Sequence, residues 1–289
     1  MKKIIATLFF LCVFASVTFG QTTADEWFKK AGEYFNNGDY TNAITAYSES
    51  LKRDRSNLDA YWFRSVAYFQ VKNYDAAIAD CDTVIKGAPD FSTVYIARGD
   101  AYGAKGIYHK AVADFKTGLE KGYDPSGFNV DKSSNADMWF CGAMYMEIVI
   151  NRFLGKSDVV TKYENWLKTV CDKNNVTRTE VEKFYRDNVR TLIAAVVDEE
   201  FRGVDVPTQR VTYVKQILTD FYLTSNQTNF NTLKDYYSNL TSSRSLSGSN
   251  NVEQLADELS NLIEAGMIKL CLDKVLVNIN TELASRVKQ

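Results

Sequence analysis

Proline is scarce in this chain, with only Pro89, Pro125 and Pro207 among 289 residues. Proline lacks a backbone donor and clashes with the preceding helical turn, so its scarcity leaves long stretches free to be helical. Histidine is rarer still, His109 alone, and the five cysteines form no Cys-x-x-Cys pair. A structural zinc site therefore has no ligand set. Excess charge is also missing: 34 basic against 36 acidic residues give a net charge of −2. Without a positive field to attract phosphate backbones, nucleic-acid binding is disfavoured. Nucleophile-elbow, phosphate-loop and His-Glu-x-x-His patterns are absent. Asp198-Glu199-Glu200 reads as a solvated run of charge at a helix end, and His109 as a surface residue. These absences lead us to expect no enzyme, no catalytic residue, no metal and no cofactor.

The N-terminus reads as an export signal of residues 1–20. Met1-Lys2-Lys3 is positive, Ile4 to Phe19 is almost wholly apolar, and Thr18 and Gly20 are small, placing cleavage before Gln21. The apolar run is shorter than the roughly 20 residues that span a bilayer comfortably, so no stable membrane span is expected after cleavage. Cys81, Cys141, Cys171 and Cys271 remain in the mature chain, and the sequence leaves their pairing open.

Sliding the sequence against itself produces matches at a shift of 34 residues. Trp27, Tyr61 and Tyr95 align, as do Tyr34, Tyr68 and Tyr102; Tyr40, Tyr74 and Tyr108; and Ala43, Ala77 and Ala111. Further columns hold Tyr47, Cys81 and Phe115, then Leu51, Ile85 and Leu119, with the turn at Gly38, Lys72 and Gly106. The units are 24–57, 58–91 and 92–125. Within each, apolar residues recur at helical spacing and a small alanine lets the second helix approach the first, while glycine marks the sharp turn in the first and third. One such hairpin cannot bury its stripe, whereas stacked hairpins can. Cys81, in a column of large apolar residues, reads as core.

Over about 102 of the 289 residues this pattern resembles the tetratricopeptide repeat family. Arg55 and Tyr123 depart from its usual closing proline, which Pro89 keeps, and Ala31 and Ser65 stand where Gly99 keeps the usual glycine. The resemblance implies an all-α fold, a tetratricopeptide helical-hairpin solenoid followed by a helical C-terminal domain. It also implies a concave groove, lined by each first helix, that holds a partner peptide. By register the lining is Phe28, Gly32 and Phe35; Trp62, Phe63, Val66 and Phe69; and Ile96, Ala97 and Asp100. Some family members clamp a carboxylate with lysine and asparagine. The corresponding positions here are Phe28, Gly32, Phe63, Thr93 and Ala97, so that mode is not expected.

Beyond Pro125 the period fails, but helical patterning continues through 126–289. Residues 136–173 read as a degenerate fourth hairpin, with Gly155 ending one helix and Ser157 capping the next. Thr177-Arg178-Thr179-Glu180 is a capping box opening a helix to about Phe201. Pro207 suits the first turn of another, to about Thr224. A shorter helix is expected over 229–240, a flexible loop over 241–251 and a long apolar pattern from 250 to 283.

The expected function is a non-enzymatic scaffold of the bacterial envelope, periplasmic or secreted. It would bind another protein or peptide through the aromatic groove, with Trp62 and Phe63 as first anchors. Two alternatives stay open: a structural role with the repeats packed on their own C-terminal helices, or an apolar small-molecule or lipid binder. Any homo-oligomer is undetermined by the sequence.

Overall fold

The computed structural model describes residues 22–242, apart from Leu154, Asp205, Ser225 and Asn226. The export segment, most of the 241–251 loop, the final apolar pattern and Cys271 lie outside the described residues. Among the described residues all regular structure is helical, and no strand is present.

Three hairpins come first: α1 (Ala24–Asn36) with α2 (Tyr40–Arg53), α3 (Leu58–Gln70) with α4 (Tyr74–Gly87), and α5 (Ser92–Ala104) with α6 (Tyr108–Glu120). The starts of the first four of these helices are fixed by side chains that accept otherwise orphaned backbone donors. Thr23 Oγ1 accepts from the Glu26 N–H at 3.1 Å, and Glu26 returns the bond by accepting from the Thr23 N–H at 2.8 Å. Asp39, Asn57 and Asn73 cap α2, α3 and α4 in the same way. Each such cap is worth about 1 kcal/mol.

The turns inside the hairpins share one geometry. Gly38, Lys72 and Gly106 are left-handed, with φ of 74°, 62° and 76°. This lets the N–H of the next residue (Asp39, Asn73 or Ile107) donate to the carbonyl of Tyr34, Tyr68 or Tyr102 at 2.9 Å in all three. Glycine adopts that backbone without penalty, whereas Lys72 is strained there by its Cβ.

The chain divides into two compact units, with the boundary after Pro89. The first unit holds the first two hairpins. Its core is built mainly of alanine (Ala31, Ala43, Ala46, Ala60, Ala67) around Tyr47 and Leu51. Small residues at these crossings bring the helix backbones close enough for the larger side chains to close over them.

The second unit contains the third hairpin, a 3-10 turn at Pro125–Gly127, and five further helices: α7 (Asn135–Phe153), α8 (Ser157–Asn174), α9 (Arg178–Glu200), α10 (Thr208–Thr224) and α11 (Gln227–Ser242). Helices α7 and α8 form a fourth hairpin closed by the same turn. Gly155 has φ 72°, and the Lys156 N–H donates to the Asn151 carbonyl at 2.9 Å. Ser157 does not cap α8, contrary to expectation: it is already the first helical residue, and Lys156 holds the cap position. The Thr177/Glu180 capping box opens α9, and α10 starts directly after Pro207.

Helix α7 is buried on nearly every side, with Trp139, Phe140, Met144, Met146 and Ile148 at its centre. Phe128 stacks on Phe140 at 3.8 Å between ring centroids. An ion pair lies within this core. Lys116 of α6 pairs with Glu147 of α7 at 2.8 Å, with 3% and 4% of the side chains exposed. Glu147 also accepts from the Asn151 side-chain amide at 2.9 Å. Two desolvated charges tie the third hairpin to α7, and neither can be removed without stranding the other.

Candidate partner-binding surface

The expected lining falls on one stripe of each first helix, at spacing i, i+4, i+7. In α1 the stripe is Phe28, Gly32 and Phe35; in α3 it is Trp62, Val66 and Phe69; in α5 it is Ile96 and Asp100, with Ala97 one residue off it and Gly103, which was not among the expected residues, next along it. Phe63 sits one residue off the α3 stripe.

In the first unit the structure brings Phe28, Phe35 and Phe63 together. Phe63 lies 6.2 Å from Phe28 and 5.9 Å from Phe35, edge-on to both, and stacks parallel on Tyr47 at 6.1 Å. Tyr40 closes on Phe35 at 5.4 Å. Rings arranged this way gain quadrupole attraction beyond simple area burial. Tyr47 is buried, and that burial pushes its phenol up to about 12. Phe63 remains 36% exposed, among the most exposed large apolar side chains described. Trp62, Val66 and Phe69 are half-buried beside this cluster on α3, and Phe69 packs against Tyr74 at 5.5 Å. The result is a cluster of uncharged aromatic side chains around Phe63.

In the second unit the same stripe is not available, which corrects the expectation for Ile96. That side chain is buried at 4% exposure. A Cβ on Gly118 would sit 2.6 Å from its Cδ1, so α6 lies directly against it. Gly103 is likewise pressed against α7, where a Cβ would meet the Ala136 Cβ at 2.5 Å. Asp100, between them, is partly buried. Burial, with the neighbouring Asp137 carboxylate adding to it, pushes Asp100 up to about 8. At neutral pH it is a largely protonated acid at the α5–α7 junction.

Residues 28–90 match the tetratricopeptide repeat model. Stress-induced-phosphoprotein 1 of Caenorhabditis elegans is 33% identical over 103 residues, covering 36% of this chain and 32% of that protein. Human serine/threonine-protein phosphatase 5 is 32% identical over 94 residues, covering 32% of this chain and 19% of that one. The chain thus spans a third or less of the length of these curated relatives. Among solved structures, the first tetratricopeptide domain of Spaghetti (RPAP3) bound to an HSP90 peptide is 26% identical, with a TM-score of 0.34 over 37% of this chain and 84% of that one. The order of the helices and the repeat model over residues 28–90 give an all-α fold, with consecutive tetratricopeptide-type hairpins followed by further helices.

Two arrangements escaped the reading of the sequence. His109 is not a solvated surface residue. It bonds through Nε2 to Glu199 of α9, with only 14% of its side chain exposed. Lys110 reaches the same carboxylate at 3.0 Å. Burial works to raise Glu199, but the hydrogen bonds from Lys110 and His109 outweigh it and hold the carboxyl at about 2. The acidic run is thus partly engaged, and Asp198 pairs with Lys215 at 2.5 Å.

The second arrangement is a cation set between the aromatic columns of each hairpin. Lys30 lies over Trp27 and Tyr34, Arg64 over Tyr61 and Tyr68, and Arg98 over Tyr95 and Tyr102, all within 6.0 Å of the ring centroids. In the second and third hairpins an aspartate completes the set. Arg64 grips Asp80 through two bonds of 2.8 Å, and Arg98 grips Asp114 at 2.8 and 2.6 Å. All of these residues recur at the same shift as the aromatics, so the signal stood in the sequence.

Proposed function

We propose that this chain is a non-enzymatic interaction scaffold, exported to the bacterial envelope or beyond it. Its first unit holds an apolar peptide or helix of another protein. The observation that carries this reading is the aromatic cluster in which half-buried Phe28 and Phe35 hold Phe63, whose ring is open to solvent. Large rings held by packing lose little freedom when a guest arrives, so they anchor recognition effectively. A guest would add its own apolar side chains to the exposed face of Phe63, in the manner of a helix laid in a groove. The export signal over residues 1–20 supports the envelope location. No described helix is long and apolar enough to cross a membrane.

The test is crosslinking in the native envelope with the full chain and with Phe63→Ala. Loss of one specific neighbour, with the unfolding midpoint nearly unchanged, is the expected result. Retention of every neighbour, with a large fall in stability, would make Phe63 a core residue and end this reading. Export is tested separately by the mass of the mature N-terminus.

One observation favours a second reading for the third hairpin, in which the stripe serves packing alone. Gly103 and Ile96 are already closed by the chain's own α7 and α6.

A further inference from the structure

Cys141 of α7 and Cys171 of α8 are the two described cysteines of the second unit, and both are buried free thiols. The hairpin register brings them face to face. Cys141 stands fourteen residues before the turn glycine, Gly155, and Cys171 sixteen after it. The earlier hairpins show what touches what at these places. In the first, the residue fourteen before the turn is Ala24, whose carbonyl accepts from Ser50 Oγ, twelve after it, at 2.8 Å. In the second it is Leu58, whose Cδ1 lies 2.8 Å from where a Cβ on Gly87, fifteen after Lys72, would sit. In the third it is Ser92, whose carbonyl oxygen lies 3.1 Å from the Cβ position of Gly118, twelve after Gly106. The fourth hairpin closes its turn with the same bond, so Cys141 faces the buried strip of Leu167, Val170 and Cys171.

Electrostatics agree with the register. After burial, a charge on Cys171 is the next largest cause pushing the Cys141 thiol up. Such coupling marks near neighbours. Only Cys171 of the two reaches solvent: it lines a surface cleft of about 630 Å³ with Leu167, Val176 and Arg178, whereas Cys141 is 0% exposed.

We propose that Cys141 and Cys171 are a disulfide site that staples α7 to α8. The Cys171 thiolate attacks a small disulfide from the cleft, forming a mixed disulfide and releasing one small thiol. Cys141 then attacks Cys171 Sγ and releases the second. Two cysteine thiols are oxidised, one small disulfide is reduced, and the two cysteine protons leave on the released thiols. Burial pushes the Cys171 thiol up as well, so few thiolates exist in the folded chain at neutral pH and closure belongs to folding. Where in the cell the bond closes rests on the export reading, since oxidising compartments lie beyond the cytosol. The pairing itself does not.

The full chain is unfolded in urea with reductant, then refolded in a buffer of reduced and oxidised glutathione. Free thiols are blocked with N-ethylmaleimide and the digest is read by mass spectrometry. The expected product is lighter by two hydrogens, carries a Cys141–Cys171 linked peptide, and melts roughly 5–10 °C above the reduced chain. Cys141→Ala should instead hold glutathione on Cys171, and Cys171→Ala should leave Cys141 bare. Blocked thiols at both positions, or either cysteine joined to any other cysteine or to a second copy, overturns the pairing. The reverse preference for glutathione overturns Cys171 as the thiol of entry. Chain taken from the native cells under acid quench should carry the same linked peptide. Closure in the refolded chain with free thiols in the cells would leave the site standing and count against export.

Discussion

The first and third hairpins carry the same stripe at the same register and put it to opposite uses. In α1, Phe28 and Phe35 flank Gly32, and no atom lies within 4 Å of a Cβ built on that glycine. In α5, Ile96 and Gly103 flank Asp100, and the chain's own helices press on both ends. The difference follows from residue size. The aromatic rings at the two ends of the α1 stripe both pack on Phe63 of α3. Glycine at Gly103 lets α7 come down onto the backbone. A repeat unit therefore becomes a docking surface or a packing surface according to two or three side chains, while its hairpin geometry stays the same.

The comparison is broken most severely at the ion pair that seats α7 on the third hairpin. Lys116→Met leaves Glu147 buried without its cation, and should cost about 3–5 kcal/mol in urea unfolding. A next, smaller effect comes from restoring bulk to the covered stripe. Gly103→Ala drives a methyl into Ala136 and should lower stability by about 1–3 kcal/mol.

Asp100→Asn sharpens the contrast through pH. A carboxyl raised from 3.8 to about 8 on folding binds its proton more tightly in the folded state. Its presence thus costs nothing below pH 3.8, costs progressively more as pH rises towards 8, and is constant above that. The variant should abolish this slope, and should be the more stable protein at pH 8. The melting temperature across that range measures both. Least in size is Gly32→Ala on the open stripe. Alanine there gains helix propensity and meets nothing, so stability should rise by roughly 0.5–1 kcal/mol. The same exchange, glycine to alanine, is expected to have opposite signs on the two stripes. Equal signs would remove the distinction between them.

The hairpins were legible because each repeats its own local chemistry. The aromatic columns, the small alanine and the turn residue all act within one unit, so a single period displays them. The covering of Gly103 was not legible from that register. Ala136 lies beyond the repeats, where the period no longer places a residue against its neighbour. The same holds for His109 and Glu199, which are 90 residues apart. The fourth hairpin kept the turn and lost the columns, with Asn151 where a tyrosine stands in the others. The cations at Lys30, Arg64 and Arg98 were within reach, because they share the period. Attention to apolar columns alone passed over them.

The bond that closes every turn is made by a main-chain carbonyl, whether tyrosine or asparagine supplies it. Closure is therefore blind to what the side chain is. A hairpin of this kind works as a cassette: its outer lettering can be rewritten, by selection or by a designer, without touching the clasp that folds it.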